Sequence, residues 1–102
     1  SLYNAWQAVT PISTSDKTSV QWDIVGPVCE TGDFLAKDRE LALEEDDLLA
    51  VLSAGAYGFV MSSNYNSRNR APEILVSGNE HTCIRRRETI EDQLALESLL
   101  DR

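Results

Sequence analysis

Cys29 and Glu30 sit side by side within Gly26-Pro27-Val28-Cys29-Glu30-Thr31-Gly32-Asp33. A turn stiffened by proline and glycine can hold a thiol and a carboxylate at one fixed point. A thiol can deliver a proton near neutral pH, and a carboxylate can bind a cation by a charge-assisted hydrogen bond. Taken alone, Cys29 reads more readily as a small buried hydrophobe than as a reactive group. A second cluster runs through Gly55-Ala56-Tyr57-Gly58-Phe59 to Ser63-Asn64-Tyr65-Asn66-Ser67-Arg68. Small residues around Tyr57 let a ligand or another backbone come close, and a phenol can donate to a phosphate. Taken alone, Tyr57 is an ordinary core aromatic on a strand.

The elements that must position these residues are short and separated by turn residues. The patterning predicts strands near 4–11, 20–25, 33–41, 48–54, 56–62, 73–76 and 82–88. Ser77-Gly78-Asn79-Glu80 should close a hairpin. Thr89 with Asp92 resembles a capping box, with aspartate in place of glutamate, and opens a helix predicted from about Ile90 to Leu100. The acidic run Glu44 to Asp47 reads as a solvated turn. The expected fold is mainly β, a small Greek-key-like barrel or sandwich with a C-terminal helix, forming one domain over the whole chain.

Composition narrows the function classes. The chain has 102 residues, 42% hydrophobic and 25% charged, which suits one ordinary globular domain. A net charge of -8 argues against a nucleic-acid partner. No apolar run approaches the roughly 20 residues of a membrane span. Two cysteines, Cys29 and Cys83, are too few for a disulfide-stapled secreted domain, so reduced thiols in the cytoplasm are expected. An N-terminus that opens directly into Ser1-Leu2-Tyr3-Asn4-Ala5-Trp6 suggests an excised piece of a longer protein.

Taken together, Gly-Pro-Val-Cys-Glu-Thr-Gly-Asp, then Gly-Ala-Tyr, then Ser-Asn-Tyr-Asn-Ser-Arg resembles the fold-type III pyridoxal-phosphate (PLP) decarboxylases. That family includes the diaminopimelate, ornithine and arginine enzymes. Leu2-Tyr3-Asn4-Ala5 resembles the Leu-Tyr motif of the diaminopimelate branch. The likeness runs from Tyr3 to about Glu97. Asn69 departs from it, standing where the family generally has proline.

The resemblance implies the C-terminal β-domain of an alanine racemase-like two-domain homodimer. Its N-terminal α/β barrel, absent here, would carry the Schiff-base lysine. Cys29 would be the proton donor reaching the partner subunit's cofactor, and Glu30, also in trans, would receive the substrate's distal ammonium. Tyr57 would bind the cofactor phosphate and help line the substrate site. Tyr3 would help hold the substrate's distal carboxylate. The implied reaction removes CO2 from a small amino acid, meso-diaminopimelate in the favoured branch, giving L-lysine. Glu30 argues against the ornithine branch, where aspartate is usual. Other rivals are an arginine- or carboxynorspermidine-type decarboxylase of the same fold and a non-catalytic dimerisation homologue.

The remaining features are given structural roles. Lys17 and Lys37 are expected to be solvated, so the piece alone should bind PLP weakly and be inactive. His81 lacks the partners of a metal site, and none is expected. Arg85, Arg86 and Arg87 alternate across a strand, and Arg68 and Arg70 flank a turn outside the site. Trp6 and Trp22 are expected as core or interface anchors. Uncovered apolar surface should make the isolated piece self-associate.

Overall fold

Strand ends follow the turn residues, and the pairing follows from where those turns lie. A computed structural model describes residues 5–101. The chain divides into two compact units, one running to Gly55 and one from Ala56 onward.

In the first unit, β1 (Val9–Pro11) pairs antiparallel with β4 (Leu49–Val51), and β2 (Val20–Val25) pairs antiparallel with β3 (Phe34–Leu41). The β2–β3 register places Trp22 opposite Arg39 and Ile24 opposite Ala36, so β3 carries an extra residue between them. Asp38 absorbs it at φ 55°, and its amide donates to the Asp23 carboxylate at 2.9 Å. An extra residue in one strand bends it and sharpens its twist. Arg39 extends across the unit: its Nη1 donates to the Gln7 carbonyl at 2.6 Å, and its guanidinium lies 4.3 Å from the Trp6 ring centre. Ala36 is the buried apolar residue among those described, at 3% exposure.

In the second unit, α1 (Gly55–Val60, its first residue closing the first unit) precedes a 3-10 turn at Tyr65–Ser67. The hairpin of β5 (Glu73–Ser77) and β6 (Glu80–Arg85) follows, and then α2 (Ile90–Leu94). Gly78 takes φ 58° in the hairpin turn, a conformation glycine adopts without steric cost. The capping box forms as expected: the Asp92 amide donates to Thr89 Oγ1 at 3.2 Å, and the Thr89 amide donates back to the Asp92 carboxylate at 2.8 Å.

The mainly-β class holds, and the described residues form three two-stranded ladders with no closed barrel among them. Several boundaries differ from the sequence reading. The strand expected at 56–62 is α1, because Gly55, Ala56 and Gly58 bring little β-propensity and Ser53, at φ 57°, has already broken β4. The helix expected to reach Leu100 stops at Leu94, and Leu96 beyond it is 100% exposed. A short helix is held by the surface its apolar face covers, and the described residues offer none there. Residues 86–88 leave the ladder after Arg85. Of the strand expected from Asn4, residues 9–11 are strand; Asn4 itself lies outside the described residues. Trp6 is exposed, so within this chain it is not a core anchor.

Candidate functional site

Residues 26–34 form a loop closed at its base, where the Gly26 amide donates to the Asp33 carbonyl at 2.9 Å. Within it the Glu30 amide donates to the Val28 carbonyl at 2.9 Å, placing Cys29 at the apex of a three-residue turn. The Asp33 amide donates to the Glu30 carbonyl at 3.0 Å, and the Phe34 amide to the Gly32 carbonyl at 2.9 Å. The Val28 amide donates to the Asp33 carboxylate at 2.6 Å. Cys29 is a free thiol and is exposed, which overturns the reading of a small buried hydrophobe. Glu30 is exposed beside it. Its carboxylate folds back on its own turn, accepting from the Gly32 amide at 2.7 Å and the Thr31 hydroxyl at 3.4 Å. An incoming cation would compete with two neutral donors, and it adds the attraction of a full opposite charge to its hydrogen bond.

Tyr57 belongs to the second unit. It sits in α1 at 71% exposure, and its carbonyl accepts from the Met61 amide at 3.0 Å. A Cβ placed on Gly55 or Gly58 would meet nothing within 4 Å. Packing within this chain therefore does not demand glycine at either position; what the glycines leave open is an approach to the helix. Tyr3 lies outside the described residues.

In the same unit the chain is clamped by a carboxylate that sequence reasoning passed over. Glu88 accepts from the Arg70 amide at 3.0 Å, from Arg70 Nε at 3.3 Å and from the Asn64 side-chain amide. The backbone hydrogen bond from Arg70, with help from Asn64 and the Arg70 charge, holds the Glu88 carboxyl below its ordinary range. The Phe59 ring lies 4.7 Å from the Arg70 guanidinium and 4.3 Å from that of Arg85. Asn69 accepts from Gln93 at 2.6 Å, so a hydrogen bond stands where the resemblance led one to expect proline. Arg86 is bidentate on Asp92, at 2.6 and 2.7 Å. Arg70, Arg85 and Arg86 thus serve as struts, Arg85 through Glu73 at 2.6 Å.

The family model for the pyridoxal-dependent decarboxylase C-terminal sheet domain matches residues 1–55, more than half of the chain's 102 residues. The chain belongs to that family. The matched stretch coincides with the first unit and contains the Cys29 turn. Beyond it, this sheet domain is similar over nearly its whole length to longer proteins. It is 64% identical over 99 residues to diaminopimelate decarboxylase of Pseudomonas fluorescens, covering 97% of the chain and 24% of that relative. It is 54% identical, again over 99 residues, to the Vibrio cholerae enzyme of the same name, with the same coverage of 97% and 24%. Among solved structures, AQ1208 from Aquifex aeolicus matches at a TM-score of 0.87 and 49% identity, over 94% of the chain and 25% of that structure. Diaminopimelate decarboxylase from M. jannaschii, solved with L-lysine, matches at a TM-score of 0.87 and 34% identity, over 96% of the chain and 23% of that structure. The sheet domain therefore spans about a quarter of the length of the relatives it matches. Among the described residues no helix is long and apolar enough to cross a membrane.

Proposed function

We propose that the sheet domain completes the active site of a cytoplasmic, PLP-dependent carboxy-lyase that converts meso-2,6-diaminopimelate to L-lysine and CO2. The observation that carries this reading is the 64% identity to a diaminopimelate decarboxylase over 99 of the chain's 102 residues. The exposed Cys29–Glu30 pair supplies groups that suit the reaction.

The residues present fit one end of the cofactor. The Tyr57 phenol is exposed beside glycines that leave open space, as a phosphate contact needs. They do not supply the covalent attachment: Lys17 pairs with Glu44 at 3.6 Å, and Lys37 rests 4.0 Å from the Phe34 ring centre. That lysine is assigned to the N-terminal barrel. PLP, when bound, supplies the electron sink for the charge left at Cα as CO2 departs. Cys29 Sγ–H gives its proton to Cα, forming the C–H bond that replaces the broken C–C bond, and the thiolate recovers a proton from solvent. Glu30 receives the distal ammonium of the substrate, and Tyr3 helps hold the distal carboxylate. A substrate lacking the ammonium would leave Glu30 without a charged partner in a closed site, which penalises misfits. Cys29 and Glu30 act across a homodimer, on the site of the other subunit.

The test is substrate competition with the complete two-domain polypeptide. L-lysine should form from meso-diaminopimelate, with kcat/KM far above that for L-ornithine or L-arginine. Preference for either of those, or no CO2 release with PLP present, would contradict the proposal. The sheet domain alone, mixed with PLP, should give no stable stoichiometric visible absorbance band.

A further inference from the structure

We infer that Asp33 is the positioning residue for the Cys29–Glu30 pair, and that Gly26 is glycine because the Asp33 carboxylate occupies the space of its side chain. The roles of Cys29 and Glu30 rest on the function proposed above; the geometry of the turn does not. Asp33 grips the three residues Val28 to Glu30 at both ends. Its carboxylate accepts from the Val28 amide at 2.6 Å, and its own amide donates to the Glu30 carbonyl at 3.0 Å. Val28 in turn accepts the Glu30 amide at 2.9 Å, so Cys29 is fixed from both sides through groups that Asp33 holds. A Cβ built on Gly26 would fall 2.1, 2.3 and 2.4 Å from three atoms of the Asp33 carboxylate. Contacts under about 3 Å do not occur between such atoms, so any larger residue at position 26 must expel the carboxylate. Gly26 is needed here for space; its φ is not in the left-handed region. The two residues form a lock: Asp33 holds the turn, and Gly26 admits Asp33.

A double-mutant cycle in the complete two-domain protein tests this. Four variants are compared with wild type: Asp33→Ala, Asp33→Asn, Gly26→Ala and Gly26→Ala/Asp33→Ala. The readouts are kcat and KM for meso-diaminopimelate per folded molecule, and the alkylation rate of Cys29 relative to Cys83 in the same molecule. Cys83 is also exposed and serves as internal reference. Misplacing a reacting group by about 1 Å can cost roughly 100-fold in rate. Asp33→Ala should lower kcat about 10- to 100-fold, raise KM and shift the alkylation ratio. Asp33→Asn keeps an oxygen for the Val28 amide and should restore most of the loss. Gly26→Ala should reproduce Asp33→Ala, and the double variant should be no worse than either. Wild-type kcat, KM and alkylation ratio in Asp33→Ala would overturn the inference, as would additive losses or no rescue by Asp33→Asn. If wild type shows no decarboxylation, the functional reading fails, and the alkylation ratios alone still decide the role of Asp33.

Discussion

Cys29 and Tyr57 are both exposed, yet the backbone beneath them is held in different ways. The Cys29 turn is tied to itself. The amides of Gly26, Val28, Glu30, Gly32, Asp33 and Phe34 find partners within nine residues of sequence, 26–34, and a carboxylate fills its interior. Tyr57 rides on a helix of six residues, none of them buried, beside two glycines facing open space. Local hydrogen bonds can fix a turn before any partner arrives, whereas a single helical turn takes its stability from what it docks against. The thiol is therefore pre-placed, and on the proposed function the phenol is expected to reach its final position only once cofactor and barrel are present.

This contrast orders the expected effects in the complete enzyme. Cys29→Ser keeps size and polarity but loses acidity. It should lower kcat by at least about 100-fold, the lower range for general acid catalysis, with KM little changed. Glu30→Gln should act mainly on KM for meso-diaminopimelate, raising it about 10- to 100-fold, the worth of a hydrogen bond to a charged group. Tyr57→Phe removes one donor and should weaken PLP binding by about 10-fold, seen as a higher apparent Kd in a cofactor titration. If Tyr57→Phe instead lowered kcat more than Cys29→Ser, the contrast between the two regions would be reversed.

The smallest effect concerns the second unit in acid. The side-chain hydrogen bond from Arg86 first, and the one from the Thr89 amide next, hold the Asp92 carboxyl well below the ordinary carboxylate range. Glu88 is lowered too, by the Arg70 amide first. Both carboxyls are more acidic folded than unfolded. Their contribution is fully present above the unfolded values of about 4 and fades as pH falls toward the lowered folded ones. The gap in thermal midpoint between wild type and Asp92→Asn should therefore narrow below about pH 4. Exposed pairs contribute little, so the whole effect should be modest. A gap that is unchanged across that range would remove the ionic account of this strut.

Much of this was legible in the sequence because it is local. The Gly26-Pro27 turn ends β2, Ser77 to Glu80 closes the hairpin, and Thr89 with Asp92 caps α2. Each depends on residues within a few positions of one another. What was missed depends on long-range partners or on their absence. Glu88 reaches back to Asn64 and Arg70, a clamp no spacing rule announces. Leu96, Leu99 and Leu100 form an apolar stripe that reads as helix, but nothing among the described residues covers it, and they stay outside α2. Asp33 has no assignable role in the sequence motif, since a carboxylate turned inward onto a main-chain amide is visible only in the folded turn.

The measurement that tests the central claim most directly is L-lysine formation by the complete two-domain protein carrying both Cys29→Ala and Glu30→Ala. With PLP saturating and the variant folded, turnover of meso-diaminopimelate should fall by more than about 100-fold. Wild-type turnover from that double variant would contradict the account.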